Sequence, residues 1–154
     1  MTFRPTAPLV AVAWLSQRVP GVDAARVATR LPRVTDWAAE GFVQATVIPS
    51  VAPVHSGDGR LAYVQVDCWG VNLAADGSAQ TKPAIKKAAV LAENVLAATG
   101  DDVQAFGRPL AMPANYGPVR VLSVYPMTEP SEVPDDPSGF GRVTLDLAIK
   151  WSPL

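Results

Sequence analysis

The stretch 82–99 constrains this chain more than any other, because its residues sort cleanly onto two helical faces. At a period of about 3.6 residues, Ala84, Ile85, Ala88, Leu91, Ala92, Val95 and Leu96 share one side, while Lys86, Lys87, Glu93 and Asn94 fall on the other. The apolar stripe is rich in alanine, so the helix can lie close against a flat surface. Strand-like segments flank it on both sides, which makes a β-sheet that surface. Pro83 suits the first turn, where its missing N–H costs nothing, and Gly100 suits the C′ position, where φ is often positive. The pattern predicts a helix over 82–99 packed on a sheet.

Around this helix the chain reads as an α+β fold, mainly antiparallel sheet, with an N-terminal helix and the central helix packed on it. Its 154 residues suffice for one genuine core and are too few for two, so a single domain over 1–154 is expected. Hydrophobic residues make up 49% and charged residues 18%, a balance that either buries much of the surface or hides some against partners. No apolar run approaches the roughly 20 residues needed to span a bilayer, and the N-terminus lacks the cationic start and small-residue cleavage site of a secretory signal. A net charge of −1 argues against a general nucleic-acid binder, which needs a concentrated basic surface. One cysteine leaves no internal disulfide framework.

Residues 1–5 read as a loose arm. Thr6 or Ala7 can cap a helix from Pro8 to about Arg18 that is apolar nearly all round and is therefore covered on both sides. It is a second core helix, or one whose Trp14 or Val10 meets a neighbouring subunit. Val19-Pro20-Gly21 marks a turn. Residues 23–31 permit helix through Ala24, Ala25 and Ala28, or strand through Val27, Thr29 and Leu31; strand is preferred. A short connector over 37–41 leads to a strand over 42–47 with Val43, Ala45 and Val47 on one face. After the Pro- and Gly-containing loop 49–60, a long strand over 61–72 turns Ala62, Val64, Val66 and Cys68 one way and Tyr63, Gln65, Asp67 and Trp69 the other. Residues 73–80 form a small-residue turn into the helix.

Beyond Gly100, residues 101–118 make a long shaped loop with Leu110, Met112 and Tyr116 interspersed. The strand over 119–125 alternates Val119, Val121 and Ser123 against Arg120, Leu122 and Val124. Every charge in 126–141 is acidic: Glu129, Glu132, Asp135 and Asp136. That loop is either a solvated acidic turn or a contact for a basic patch on a partner. The closing strand points Val143, Leu145, Leu147, Ile149 and Trp151 inward and Arg142, Thr144, Asp146 and Lys150 outward. It pairs with 119–125 as an antiparallel hairpin with a wide loop.

No catalytic constellation stands out. The chain has no G-x-x-x-x-G-K-S/T, H-E-x-x-H, C-x-x-C or G-x-S-x-G pattern. Gly139-Phe140-Gly141 begins like a dinucleotide fingerprint, but it opens a strand and lacks the third glycine. Cys68 has only His55 as an imidazole partner and reads as a buried core thiol. His55, in the loop 49–60, reads as solvent-facing. Asp67 and Asp146 form a carboxylate pair if their strands are neighbours, with satisfied hydrogen bonds or an interface role rather than acid–base work. Neither a second imidazole nor acids at ligand spacing are present, so no metal, no cofactor and no enzymatic activity are expected.

The strand Tyr63-Val64-Gln65-Val66-Asp67-Cys68-Trp69-Gly70 is followed by an alanine-rich helix ending in Leu91-Ala92-Glu93-Asn94-Val95-Leu96. Then come Val119-Arg120-Val121, Glu129-Pro130, a Pro134-Asp135-Asp136 turn, and Arg142-Val143-Thr144-Leu145-Asp146-Leu147 running to Trp151. In this order, with the opening Val12-Ala13-Trp14-Leu15 helix and the Gly41-Phe42-Val43 strand, the chain resembles the tail terminator proteins of long-tailed bacteriophages. The likeness is to the siphophage type found in phages of actinobacteria. It implies an α+β subunit that joins copies of itself in a hexameric ring, caps the finished tail tube, ends tube polymerisation and joins the tail to the head–tail connector. The partners it implies are the chain itself, the tail tube protein and the connector or neck proteins; DNA passes through the ring without specific binding, and no membrane is involved. The place it implies is the neck region of the virion tail, after synthesis in the host cytoplasm. Such a ring closes through a heterologous interface. Interface candidates are Tyr63, Gln65, Trp69, Asp146 and Lys150 on the long strands, the loop around 53–58, and the loop carrying Glu129, Glu132, Asp135 and Asp136. The alternatives are another neck or tail-completion (head-closure) protein of the same virion, and a small cytoplasmic enzyme using Cys68 or Asp67.

Overall fold

The computed structural model describes residues 1–49, 59–76, 79–100 and 108–154, with 79–82 described in backbone alone. Its centre is the antiparallel pair β3 (Arg60–Leu73) and β7 (Gly141–Pro153), in register from Arg60 opposite Trp151 to Gly70 opposite Gly141. Strand β2 (Phe42–Ile48) lies antiparallel on the other side of β3, and β5 (Val119–Pro126) antiparallel on the far side of β7. The two-residue β1 (Val27–Ala28) adds parallel to β2, giving the order β1-β2-β3-β7-β5. Strand β4 (Ala79–Pro83) pairs with the end of β3, and β6 (Ser131–Glu132) with the start of β7. This is an α+β architecture with a mostly antiparallel sheet, as expected.

Two helices, α1 (Ala7–Arg18) and α3 (Ile85–Gly100), cover one face. Strand alternation supplies the surface beneath them: Val43, Ala45, Val64, Val66, Cys68, Leu145, Leu147 and Ile149 are each at most 1% exposed. Burying each of the larger aliphatic side chains contributes about 1.5–3 kcal/mol. The alanine stripe does what its small size allows: Ala88 and Ala92 are fully buried where α3 meets the sheet. Close approach is also built into the strands. A Cβ on Gly70 would collide with the Ala84 carbonyl, and one on Gly141 would lie 2.8 Å from the Ile85 nitrogen. These two glycines face each other across β3 and β7 and seat the start of α3.

The opposite face is covered at one end, where α2 (Val34–Trp37) leads into β2. There Trp37, Ala38, Phe42, Trp69 and Val71 form a second apolar cluster, with Phe140 packed against it. Phe140 meets the rings of Trp37 and Trp69 edge-on, at centroid distances of 5.4 and 6.4 Å.

Several local expectations are corrected. The arm is not loose: the Phe3 N–H donates to the Asn115 carbonyl at 2.7 Å, its ring lies 5.9 Å from that of Tyr116, and Pro5 is buried. Trp14 and Val10 are fully buried, so neither reaches a neighbouring subunit. In 23–31 the Asp23 carboxylate accepts the Ala25 N–H and starts a 3-10 turn over Ala24–Arg26, leaving two residues of strand. The small-residue turn 73–80 in fact leads into β4, and α3 starts at Ile85. Pro83 therefore ends a strand opposite Val71, where its missing N–H is tolerated. Gly100 is the last helical residue and its φ is not positive. Lys87 is no solvent-facing charge; its Nζ donates to the carbonyls of Ala38 and Val71, each at 3.1 Å. On β5 the register slips between Val121 and Ser123, so Leu122 is a bulge. The alternation inverts there: Val124 turns inward and is 4% exposed, while Leu122 is 38% exposed.

Candidate functional site

The uncovered half of the outer sheet face is where most of the sequence-derived candidates meet. On this face Gln65 stands opposite Asp146, and Tyr63 opposite Ala148. On its other side Ala148 has Tyr125, and Lys150 has Ser123. Tyr125 and the neighbouring Met127 are each 50% exposed; Lys150 is exposed, and Tyr63, Gln65 and Asp146 are half-buried. A shallow hollow of about 340 Å³ is lined by Gln65, Thr128, Glu129, Ser131, Arg142, Thr144 and Asp146. The Thr128 hydroxyl accepts the Asp146 N–H at 2.8 Å and draws the acidic segment after β5 over the strand.

On the wall of this hollow, Arg142 organises the charges. Its Nε lies 2.9 Å from Oδ1 of Asp67, a carboxylate with 5% of its side chain exposed. Its Nη1 lies 3.2 Å from Oδ2 of Asp136, and its guanidinium sits 5.3 Å from the centre of the Trp69 ring. Gln65 Nε2 also donates to Asp67, at 3.0 Å. The Ser138 N–H and hydroxyl donate to Asp136 at 3.0 and 2.6 Å. Burial alone pushes the Asp136 carboxyl up, but the Ser138 bonds and the Arg142 guanidinium outweigh it and hold the group below its usual range.

This geometry separates the candidates. Gln65, Glu129 and Asp146 converge, with Tyr63 and Lys150 on the same open face. Glu132 and Asp135 are exposed on a second hollow of about 370 Å³, between the β6–β7 turn and the start of α3. Trp69 is withdrawn: it is 8% exposed, and its indole N–H donates to Gln44 at 3.1 Å. Asp136 is also withdrawn, since its side chain is 7% exposed and bound to Arg142. The expected Asp67–Asp146 pair does not form; the strands are neighbours, but the register sets Asp67 opposite Thr144 and its charge is met by Arg142. The loop around 53–58 and His55 lie outside the described residues. Arg142 was legible only as an outward-facing residue, because its partners come from a strand pairing that periodicity does not specify.

The groups an enzyme would use are placed otherwise. Cys68 is fully buried on the helix-covered face, and burial, then the charge of Asp67, pushes its thiol well above the usual range. Among the described residues no three His, Cys, Asp or Glu side chains converge as a metal site, and no helix is long and apolar enough to cross a membrane. A larger hollow of about 630 Å³ runs along α3, and several of its polar side chains bond to the backbone around it. Arg26 donates to the carbonyls of Gly21 and Glu40, and Asn94 to that of Pro20. No protein-family model matches the chain, and no curated protein matches it.

Proposed function

We propose that this chain is a structural virion protein of the tail-terminator kind, which closes a ring on the end of a phage tail tube, stops its growth and links it to the connector. The reading starts from the motif order described above. One observation carries it further: the sheet ends in two unlike edges, the two-residue β1 and the eight-residue β5, and β5 runs directly into the exposed acids Glu129, Glu132 and Asp135. Unlike edges suit a head-to-tail contact that closes by rotation. Exposed carboxylates without ion-pair partners among the described residues suit an electrostatically steered contact with a basic partner. The role is non-enzymatic in this reading, in keeping with a core-buried Cys68 and an ion-paired Asp67.

Electron microscopy of the purified chain mixed with tail tube protein tests it. Rings at tube ends, with tubes of defined length, are the expected result. Density against isolated connectors alone would move the chain to the head-closure alternative, and binding to neither would end both readings. The acidic segment has its own test, in which Asp136 is left intact because it holds Arg142. Glu129→Lys with Glu132→Lys and Asp135→Asn should weaken partner binding by roughly tenfold or more, and wild-type binding should weaken as salt rises.

A further inference from the structure

We propose that the uncovered half of the outer sheet face docks on the same half of a second copy of this chain, related by a two-fold axis. The face is complementary to itself in charge. Lys150 on β7 and Arg120 on β5 stand exposed at one end; Asp146 on β7 and Glu129 after β5 stand at the other. None of the four has an ion-pair partner among the described residues. Ala148 is the midpoint, two residues from Asp146 and two from Lys150, so the opposite charges lie about 13 Å apart along one strand and cannot pair within the chain. Between them the surface is aromatic, made by Tyr63 and Tyr125, which stand on either side of the fully buried Ala148.

A two-fold axis lying between the sheets and crossing the strands at Ala148 reverses strand direction while keeping each strand over its own counterpart. Lys150 of each copy then lies over Asp146 of the other, at the spacing of about 10 Å and the twist of about 30° common to aligned sheets. An isologous contact needs one patch that fits itself, and this patch has opposite charges at equal distances from its centre. A different protein would have to supply that pattern independently. The pairing concerns the free chain and does not rest on the tail reading.

Sedimentation equilibrium at micromolar concentration and low salt reads the outcome as a mass. The expected wild-type value is twice the 16.2 kDa of one chain. Asp146→Lys puts a lysine at both charged positions of β7 and Lys150→Asp puts an aspartate at both, so the two-fold axis sets like charges over each other; each variant alone should return to the mass of one chain. An equal mixture of the two should regain the doubled mass, because the two β7 lysines of one copy then lie over the two β7 aspartates of the other. The variant carrying both exchanges should pair by itself. Circular dichroism of each variant establishes that it is folded, and Lys150→Ala serves as a milder substitute if one is not. A wild-type monomer, a doubled mass that survives both reversals, or a mixture that stays monomeric would each overturn the pairing. A ring mass for the free wild-type chain would also overturn it while leaving the tail reading standing, and failure to bind tubes would do the reverse.

Discussion

Arg142 holds together groups that are distant in sequence: a buried carboxylate on β3, a carboxylate in the β6–β7 turn and the face of an indole. Removing Asp67 would leave the guanidinium beside an apolar ring with half its partners gone. Because Arg142 keeps 24% of its side chain in solvent, the cost falls below that of a fully buried pair. Asp67→Ala should destabilise the fold by about 2–3 kcal/mol, read from the urea midpoint; a change below about 0.5 kcal/mol would mean that Gln65 and water replace the ion pair. Asp136 adds a pH dependence. Its folded-state carboxyl is held below the ordinary aspartate range, so its contribution is complete above that range and is lost as pH falls from there through the lower folded-state value. Asp136→Asn should therefore flatten the loss of stability measured between about pH 5 and pH 2. An unchanged acid limb would place that loss in other carboxylates.

Strand β5 shows how one inserted residue reassigns a face. Read straight through, its alternation puts Val124 outside with Leu122; the bulge at Leu122 turns Val124 into the core. Val124→Ala should cost about 2 kcal/mol in thermal or urea unfolding, whereas Leu122→Ala should stay within about 0.5 kcal/mol. Equal effects would remove the bulge from the account. The seat of α3 is as specific. A methyl group at Gly141 meets backbone that cannot rotate away, so Gly141→Ala should destabilise by about 1–3 kcal/mol and loosen the start of the helix, measurable as faster amide exchange over 85–88. The helix itself was evident from its stripe, and its start was not. Pro83 permits a first helical turn and a strand end equally well, and only the pairing of β4 with β3 decides between them.

Taken whole, the molecule is a sheet with two helices on one face and a partial apolar cover on the other, which leaves an open surface between an acidic end and a basic one. The acidic loop was legible as a candidate because every charge in 126–141 is acidic, and the polar strand faces because their residues recur at strand spacing. Which of them remain available was not: Trp69 is covered by the Trp37–Phe140 cluster, and Asp136 is taken by Arg142. Glu129 and Asp146 line one hollow through contacts that span the β5–β7 connection, which no local pattern encodes. The amino-acid order by itself determined the α+β class, the inward residues of β2, β3 and β7 and the alanine stripe of α3, because hydrophobic periodicity is a local property of the chain. Strand order, the bulge, the ion pairs of Arg142 and the placement of opposite charges about one open face were decided only in the tertiary structure. Those features depend on register between distant segments, and a shift of one residue in register sends each side chain to the other side of the sheet.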